Sequence, residues 1–292
     1  MSQYISFEGD VIASRQNRRI VELMKLDDRR AREKSRLFRF DGVKLLCEAM
    51  SRGVELDSIF LRVGTADKVA ERMAELYGCT LPQANCPIFG VEDSLFEKIS
   101  QENAPEGVIT VAKYIDKSHK NIIIYNKDEI LLPTGSVAML LESVRDPLNV
   151  GAIIRSAAAL GVEHLILSDD CADIYHPRTL RAAMGPLFSM PITRVKDLAG
   201  SIAALRGEGR RVYAAALDDT ALGLGSPEWA AEQGRDWIDA APCAVIGNEG
   251  HGLSEAVIAA CDRSVYIPME AGTESLNAGV AAALIMWELC KR

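Results

Sequence analysis

A chain of 292 residues is long enough for about two domains, and 48% hydrophobic with 25% charged residues is the composition of a globular protein able to bury a core. No run of 18 or more apolar residues occurs, and the opening MSQYISFEGD carries Glu8 and Asp10 in place of an apolar stretch, which argues against a membrane span and a secretory signal. The net charge of −8 disfavours a nucleic-acid partner only on average, because residues 14–44 hold eleven Lys or Arg against five Asp or Glu, a local net of +6.

In that basic stretch Ile20, Leu23 and Met24 fall at i, i+3 and i+4, the spacing of a helix. Its cations suit either an RNA footprint or a solvated helix face. Phe38 and Phe40 alternate with Arg39 ahead of Asp41-Gly42, a strand followed by a turn. Residues 43–50 read as an apolar-rich helix, and residues 59–61 and 107–112 as further strands. Residues 118–135 carry Asn121, Asn126, Lys127, Asp128 and Pro133-Thr134-Gly135 around an apolar Ile122-Ile123-Ile124, and the domain boundary is expected there.

From Ser136 strands and helices alternate, the pattern of a parallel sheet covered by helices. Residues 137–141 are an apolar run short enough for a buried parallel strand. Residues 149–160 read as a helix with Gly161 at its C-cap. Strands are expected at 163–167, 212–217, 244–247 and 264–267, and helices at 253–260 and 276–289. The last helix is apolar nearly all round, which predicts burial. Seven cysteines form no C-x-x-C pair, so a disulfide framework or zinc site is not expected, and inert thiols in a reducing cytosol are. No metal site is read from the chain.

Three blocks lie at expected strand ends, where open α/β sheets bind ligands. In the first, Asp146-Pro147 favours a turn, Asn149 is a candidate helix cap or site residue, and Arg155 sits at the rim of an apolar stripe. The second, Ile246-Gly247-Asn248-Glu249-Gly250-His251-Gly252-Leu253, has three glycines in six residues, allowing close backbone approach to a ligand. Its spacing is neither G-x-G-x-x-G nor a P-loop. Glu249 suits either orienting a partner side chain or a helix-start carboxylate, and His251 has no visible partner. The third block contains Ile267, Met269, Ser275, Leu276 and Asn277, with Ser275 a candidate cap for the last helix.

Together, RDPLNVGAIIRSAAALGVEHLIL, AVIGNEGHGLSEAV and SVYIPMEAGTESLNAGVAAALIMWEL resemble the SpoU/TrmH branch of the SPOUT methyltransferases over residues 137–292, apart from an unassigned stretch at about 218–240. Arg181 to Phe188 resembles that family's Arg-x-Ser-x-Gly-Ala segment, with Ala183 and Pro186 departing from it. Ser14 to Asn17, the arginine run, Phe38 to Gly42 and Pro105 to Val108 are similar to the family's RNA substrate-binding domain, with Asp41 and Glu106 where Glu and Gln are usual.

The resemblance implies an α/β fold in three parts: a smaller ribosomal-protein-like RNA-binding domain at 1–117, a connector at 118–135, and a SPOUT domain at 136–292 with a parallel sheet and a C-terminal trefoil knot. It implies a cytoplasmic homodimer that methylates a ribose 2′-hydroxyl from S-adenosyl-L-methionine. Ribosomal RNA is the expected substrate. Transfer RNA, and a non-catalytic RNA-binding protein, are the alternatives. By motif match Arg155, Asn149, Glu249, Ser275 and Asn277 are the catalytic candidates, and Gly247, Ile267, Leu276, Asn248 and Met269 the cofactor-binding ones. Arg15, Asn17, Arg29, Arg30, Arg32 and Arg36 are the RNA-binding candidates. A guanidinium stays protonated in proteins, so Arg155 is read as an electrostatic stabiliser and phosphate anchor in preference to a base.

Overall fold

Helix α1 (Arg18–Lys25) starts where the Asn17 side chain accepts the Arg19 N–H at 2.9 Å, and it buries Ile20 and Leu23. The computed structural model describes residues 5–115, 123–125, 132–133, 135–234, 241–270, 272 and 275–290. Contacts group the chain into two units, one of Met1–Ile115 with Tyr175–Ser189, the other of Asp116–Ile174 with Met190–Arg292.

In the first unit, Asp28 caps α2 (Arg29–Ser35) through the Ala31 N–H at 3.0 Å. Strand β1 (Leu37–Asp41) is followed by α3 (Val43–Ser51), β2 (Leu56–Arg62), α4 (Ala66–Tyr77), β3 (Ile88–Val91), α5 (Asp93–Ile99) and β4 (Val108–Lys113). The four strands form a mixed sheet in the order β1-β4-β2-β3, with only β2 and β3 parallel. The alternation around Arg39 does not place that residue in solvent. Arg39 is 2% exposed, with its guanidinium 3.0 Å from Asp27 and donating to the Ile99 carbonyl at 3.0 Å. A buried cation is tolerated because an ion partner and a carbonyl replace its water.

The second unit begins with β5 (Ile123–Tyr125), within the expected connector, most of which lies outside the described residues. Strand β6 (Ala138–Leu141), helix α6 (Pro147–Leu160) and strand β7 (His164–Ser168) follow, with Gly161 ending α6 at φ 85°. Residues Tyr175–Ser189 then carry α7 (Pro177–Ala183) and group with the first unit, although they interrupt the second in sequence. The second unit resumes with β8 (Ile192–Val195), α8 (Leu198–Gly207), β9 (Val212–Ala215), β10 (Leu222–Gly223), α9 (Pro227–Gln233), β11 (Cys243–Ile246), α10 (Glu255–Ala260), β12 (Arg263–Tyr266) and α11 (Ala278–Leu289). Eight parallel strands lie in the order β10-β12-β9-β11-β6-β7-β8-β5. Every residue of β6, β7, β8 and β11 is buried, as helices on both faces of a parallel sheet require.

The stretch that the sequence left unassigned supplies β10, which pairs with β12, and α9, whose Trp229 is 1% exposed and donates to Glu288 at 3.2 Å. Its residues 235–240 lie outside the described residues. Helix α11 corrects the expectation of burial all round. Ala282, Ile285, Met286 and Leu289 are buried, while Val280, Leu284 and Trp287 are 49%, 41% and 57% exposed. These three recur at i, i+4 and i+7, so they form one apolar stripe on the helix surface.

One buried titratable group gives a stability prediction. His164 hydrogen-bonds Thr193 at 2.8 Å within the sheet, and burial, with a smaller push from Arg210, lowers its pKa from 6.5 to about 4. Between these values the unfolded chain takes up a proton that the folded chain refuses, so stability falls as pH drops through that window. By pH 4 the loss is expected to reach about 3 kcal/mol relative to neutral pH. Urea unfolding across this range checks it, and His164→Gln should flatten the dependence.

Candidate active site

The loop from β6 into α6 and the start of α11 together fix an amide. Pro147 opens α6, and the Asp146 side chain accepts the Leu148 N–H at 3.0 Å. Asp146 is therefore the cap that Asn149 was a candidate for. Asn149 sits one turn inside the helix, 6% exposed, with its side chain free of capping. At α11 the cap is Asn277, not Ser275: Asn277 Oδ1 accepts from the N–H groups of Gly279 at 2.9 Å and Val280 at 3.3 Å. Capping uses the oxygen of Asn277 and leaves its NH2 to donate to Asn149 Oδ1 at 2.8 Å. Asn149 must then present its own NH2 outward, where it donates to Glu249 Oε1 at 2.7 Å. Three residues from three motifs thus form a chain of donors running one way, from the N-terminus of a helix to a carboxylate.

Glu249 is held by a tight loop after β11. Asn248 Oδ1 accepts from Gly250 N at 2.8 Å and His251 N at 3.2 Å, and the Asn248 and Gly252 backbones bridge. Gly247 is required here, since a Cβ would stand 2.3 Å from the Gly252 carbonyl carbon. Gly247→Ala is expected to lower stability by roughly 1–3 kcal/mol, as overpacking against backbone does. Urea denaturation with an unchanged m-value would check it.

Beside this loop lies a cavity of about 700 Å³. Ala215, Ala216 and Leu217 at the end of β9, His251 to Leu253, Ile267 and Met269 after β12, and Ser275 and Leu276 before α11 line it. Its wall is mostly apolar, and Leu217 and Met269 stand exposed at 81% and 45%. Of the residues singled out by sequence, Ile267, Met269, Ser275 and Leu276 face this cavity. Gly247 and Asn248 shape the adjoining loop instead. Residues 271, 273 and 274 lie outside the described residues. The contribution of Ala215 to Leu217 was not singled out, although their place at a strand's carboxyl end was a signal for it.

Arg155 joins neither group. It is exposed on α6, with no hydrogen bond or ion pair to the described residues. Six helical residues beyond Asn149 place it about 9 Å along the axis and about 120° around it.

In the first unit the basic segment divides. Arg15 and Arg30 are exposed, Arg29 pairs with Glu33 at 2.8 Å, and Arg36 lies over the Tyr114 ring at 4.4 Å. Arg32 is a correction: it is 1% exposed and donates to the carbonyls of Leu26 at 2.7 Å and Asp27 at 3.0 Å, closing the end of α1. Asn17 likewise spends its side-chain oxygen on the cap of α1. A second cavity, of about 600 Å³, has Leu23, Phe60 and Phe89 among its apolar residues, and Arg19, Lys25 and Lys34 also line it. The Arg19 guanidinium stacks 3.9 Å above Phe89.

Comparison with known proteins matches this architecture. A family model described as the SpoU rRNA Methylase family matches residues 136–287, and one described as an MRM3-like substrate binding domain matches residues 17–110. The 23S rRNA (guanosine(2553)-2′-O)-methyltransferase RlmP of Bacillus subtilis is 26% identical over 278 residues, 95% of this chain and 98% of that protein. A putative TrmH family tRNA/rRNA methyltransferase of Staphylococcus haemolyticus is 34% identical over 65% of this chain and 72% of its own. The crystal structure of the SpoU methyltransferase AviRb from Streptomyces viridochromogenes, in complex with the cofactor AdoMet, superposes with a TM-score of 0.74 at 26% identity, covering 94% of this chain and 97% of that one.

Proposed function

The chain belongs to the SpoU rRNA methylase family, and we propose that it transfers a methyl group from S-adenosyl-L-methionine to a ribose 2′-hydroxyl in ribosomal RNA. The observation that carries this reading is the donor chain Asn277–Asn149–Glu249 beside a largely apolar cavity at strand ends. Relatives named as 23S rRNA 2′-O-methyltransferases point to the same reaction, and an AdoMet-bound neighbour to the same cofactor.

The cavity suits the cofactor. Its volume of about 700 Å³ lies within the roughly 300–1,000 Å³ of small-molecule pockets. Its Ala, Leu, Ile and Met walls take apolar surface, and Gly252 and Gly272, without side chains, let a ligand approach the backbone closely. Ile267, Met269 and Leu276 hold the ligand, with Gly247 and Asn248 supporting the loop that carries Gly252 and Leu253. The bound cofactor supplies an activated methyl on a sulfonium. The protein's part is to align a hydroxyl and manage one proton. Asn149, fixed by Asn277 and Glu249, orients the ribose. Arg155, permanently charged, holds RNA phosphate and stabilises the developing alkoxide. Ser275, at the cavity wall, adds a hydroxyl donor.

The same reading includes a homodimer in which the acceptor site draws on both subunits. The exposed stripe of Val280, Leu284 and Trp287 supports it, because apolar surface at helical spacing suits a partner helix. It also accounts for Arg155 standing apart from its own subunit's Asn149. A C-terminal trefoil knot is part of the reading. The strand order supports it, with β11 between β9 and β6 while β12 returns to the far side of β9. A cytoplasmic location completes it, since the buried free thiols of Cys47, Cys171, Cys243 and Cys261 persist in a reducing compartment. The first unit grips RNA through Arg15, Arg29, Arg30 and Arg36, with Arg19, Lys25 and Lys34 added at its cavity.

Labelled S-adenosylmethionine with unmodified rRNA and tRNA fractions, followed by nuclease mapping, tests the proposal. A 2′-O-methylnucleotide in rRNA is the expected product. Label confined to tRNA would overturn the substrate, and cofactor and RNA binding without any transfer would overturn the catalysis.

A further inference from the structure

Ser143, in the loop from β6 to α6, lies at φ 54°, a left-handed conformation that L side chains rarely adopt without support. Three hydrogen bonds hold it. Its N–H donates to Ser168 Oγ at 2.8 Å, its hydroxyl donates to Asp170 Oδ2 at 2.6 Å, and its carbonyl accepts from Asn248 Nδ2 at 2.7 Å. Asp170, in the loop after β7, organises the cluster. Its other oxygen accepts from Ser168 Oγ at 2.6 Å, and Arg145 donates to Oδ2 at 3.2 Å.

The bonds continue into the active-site loop. The same Asn248 that donates to Ser143 accepts, through Oδ1, the N–H groups of Gly250 and His251, the two residues after Glu249. Backbone dihedrals at Ser143 decide where its carbonyl points, and that carbonyl anchors Asn248. We propose that Asp170 is a positioning residue for methyl transfer: by pinning Ser143 in its left-handed conformation, it aims the Ser143 carbonyl at Asn248 and sets Glu249 against Asn149. The inference rests on the methyltransferase reading.

Two features separate this role from ordinary surface bonding. An unfavourable backbone conformation persists only where its surroundings over-determine it, and such positions cluster at functional sites. The carboxylate is also committed to its charged form: burial pushes its pKa up, but the hydroxyls of Ser143 and Ser168 and the Arg145 guanidinium outweigh that and hold it below the ordinary value.

Steady-state transfer to rRNA by the full chain tests the proposal with Asp170→Ala and with Asp170→Ala combined with Ser143→Gly. Asp170→Ala is expected to lower kcat about tenfold to a hundredfold, the effect of small misplacement, with RNA KM within about threefold. Glycine at 143 takes a positive φ without a side-chain anchor, so the double variant should recover most of kcat. A second readout is independent of turnover. The Asn149 side-chain amide resonance should lose its hydrogen-bonded shift in the single variant and regain it in the double. Should Asp170→Ala fail to fold, Asp170→Leu keeps about the size without an acceptor and carries the same comparison. Wild-type kcat in the single variant, or a loss that Ser143→Gly does not recover, overturns the role. Absence of transfer by the unaltered enzyme would strike the methyltransferase reading instead, and the amide resonance would still decide Asp170.

Discussion

Replacing Asn149 by alanine is expected to lower kcat about a hundredfold while S-adenosylmethionine affinity stays within about threefold. The prediction follows from where the side chain stands. Asn149 is the middle of the donor chain, accepting from Asn277 at 2.8 Å and donating to Glu249 at 2.7 Å. It does not line the cavity proposed for the cofactor. Its loss strands the amide hydrogens of Asn277 and removes the donor that orients Glu249. The fold should survive, because Asp146 caps α6 and the oxygen of Asn277 still caps α11. Asn149→Asp should be at least as damaging, since it keeps the size but sets a second carboxylate beside Glu249. Single-turnover transfer at saturating cofactor, paired with calorimetry of cofactor binding, checks both. Lost cofactor affinity at unchanged kcat would move Asn149 out of the acceptor site.

Arg155→Ala should remove about a thousandfold of kcat/KM, the upper range for loss of a preorganised charge at a developing anion. The larger consequence concerns which subunit the guanidinium serves. It is exposed and has no partner among the described residues of its own chain. If it completes the site of a second subunit, inactive Arg155→Ala protein mixed with inactive Leu276→Glu protein regains activity. The mixed dimer pairs an intact cavity from one with an intact guanidinium from the other. Random exchange makes half of the dimers mixed, each with one working site, so recovery of about a quarter of wild-type activity is expected. Exchange is driven at dilute concentration and read by the same transfer assay. No recovery, with exchange shown by mass-tagged subunits, would place the whole site within one chain.

Local pattern carried much of the architecture. Apolar runs at residues 137–141 and 244–247 read directly as buried strands because a parallel sheet covered on both faces needs no polar side. Gly161 marked the end of α6, since a positive φ there admits glycine freely. The three motif blocks were legible as a set, and their residues Asn149, Glu249 and Asn277 do meet.

The individual roles were less legible. Asn149 and Ser275 both suit helix starts by residue type, but a helix has one cap, and a shift of a few residues gives it to Asp146 and Asn277. Arg32 has the sequence context of a surface cation, yet it lies under the turn that follows α1.

Neighbours within a turn or a strand were therefore enough to read the alternation of elements, the loops at strand ends, and the residue types gathered there. The bonds of the candidate site depend instead on partners far along the chain. Asn149 is separated by 100 residues from Glu249 and by 128 from Asn277, and the side-chain orientations follow from those bonds. Asp170 has no motif to mark it, and its importance comes from meeting Ser143, 27 residues away. The exposed stripe of α11 has the same cause. An apolar helix carries no sign of which side the sheet will leave open, and packing alone exposes Val280, Leu284 and Trp287.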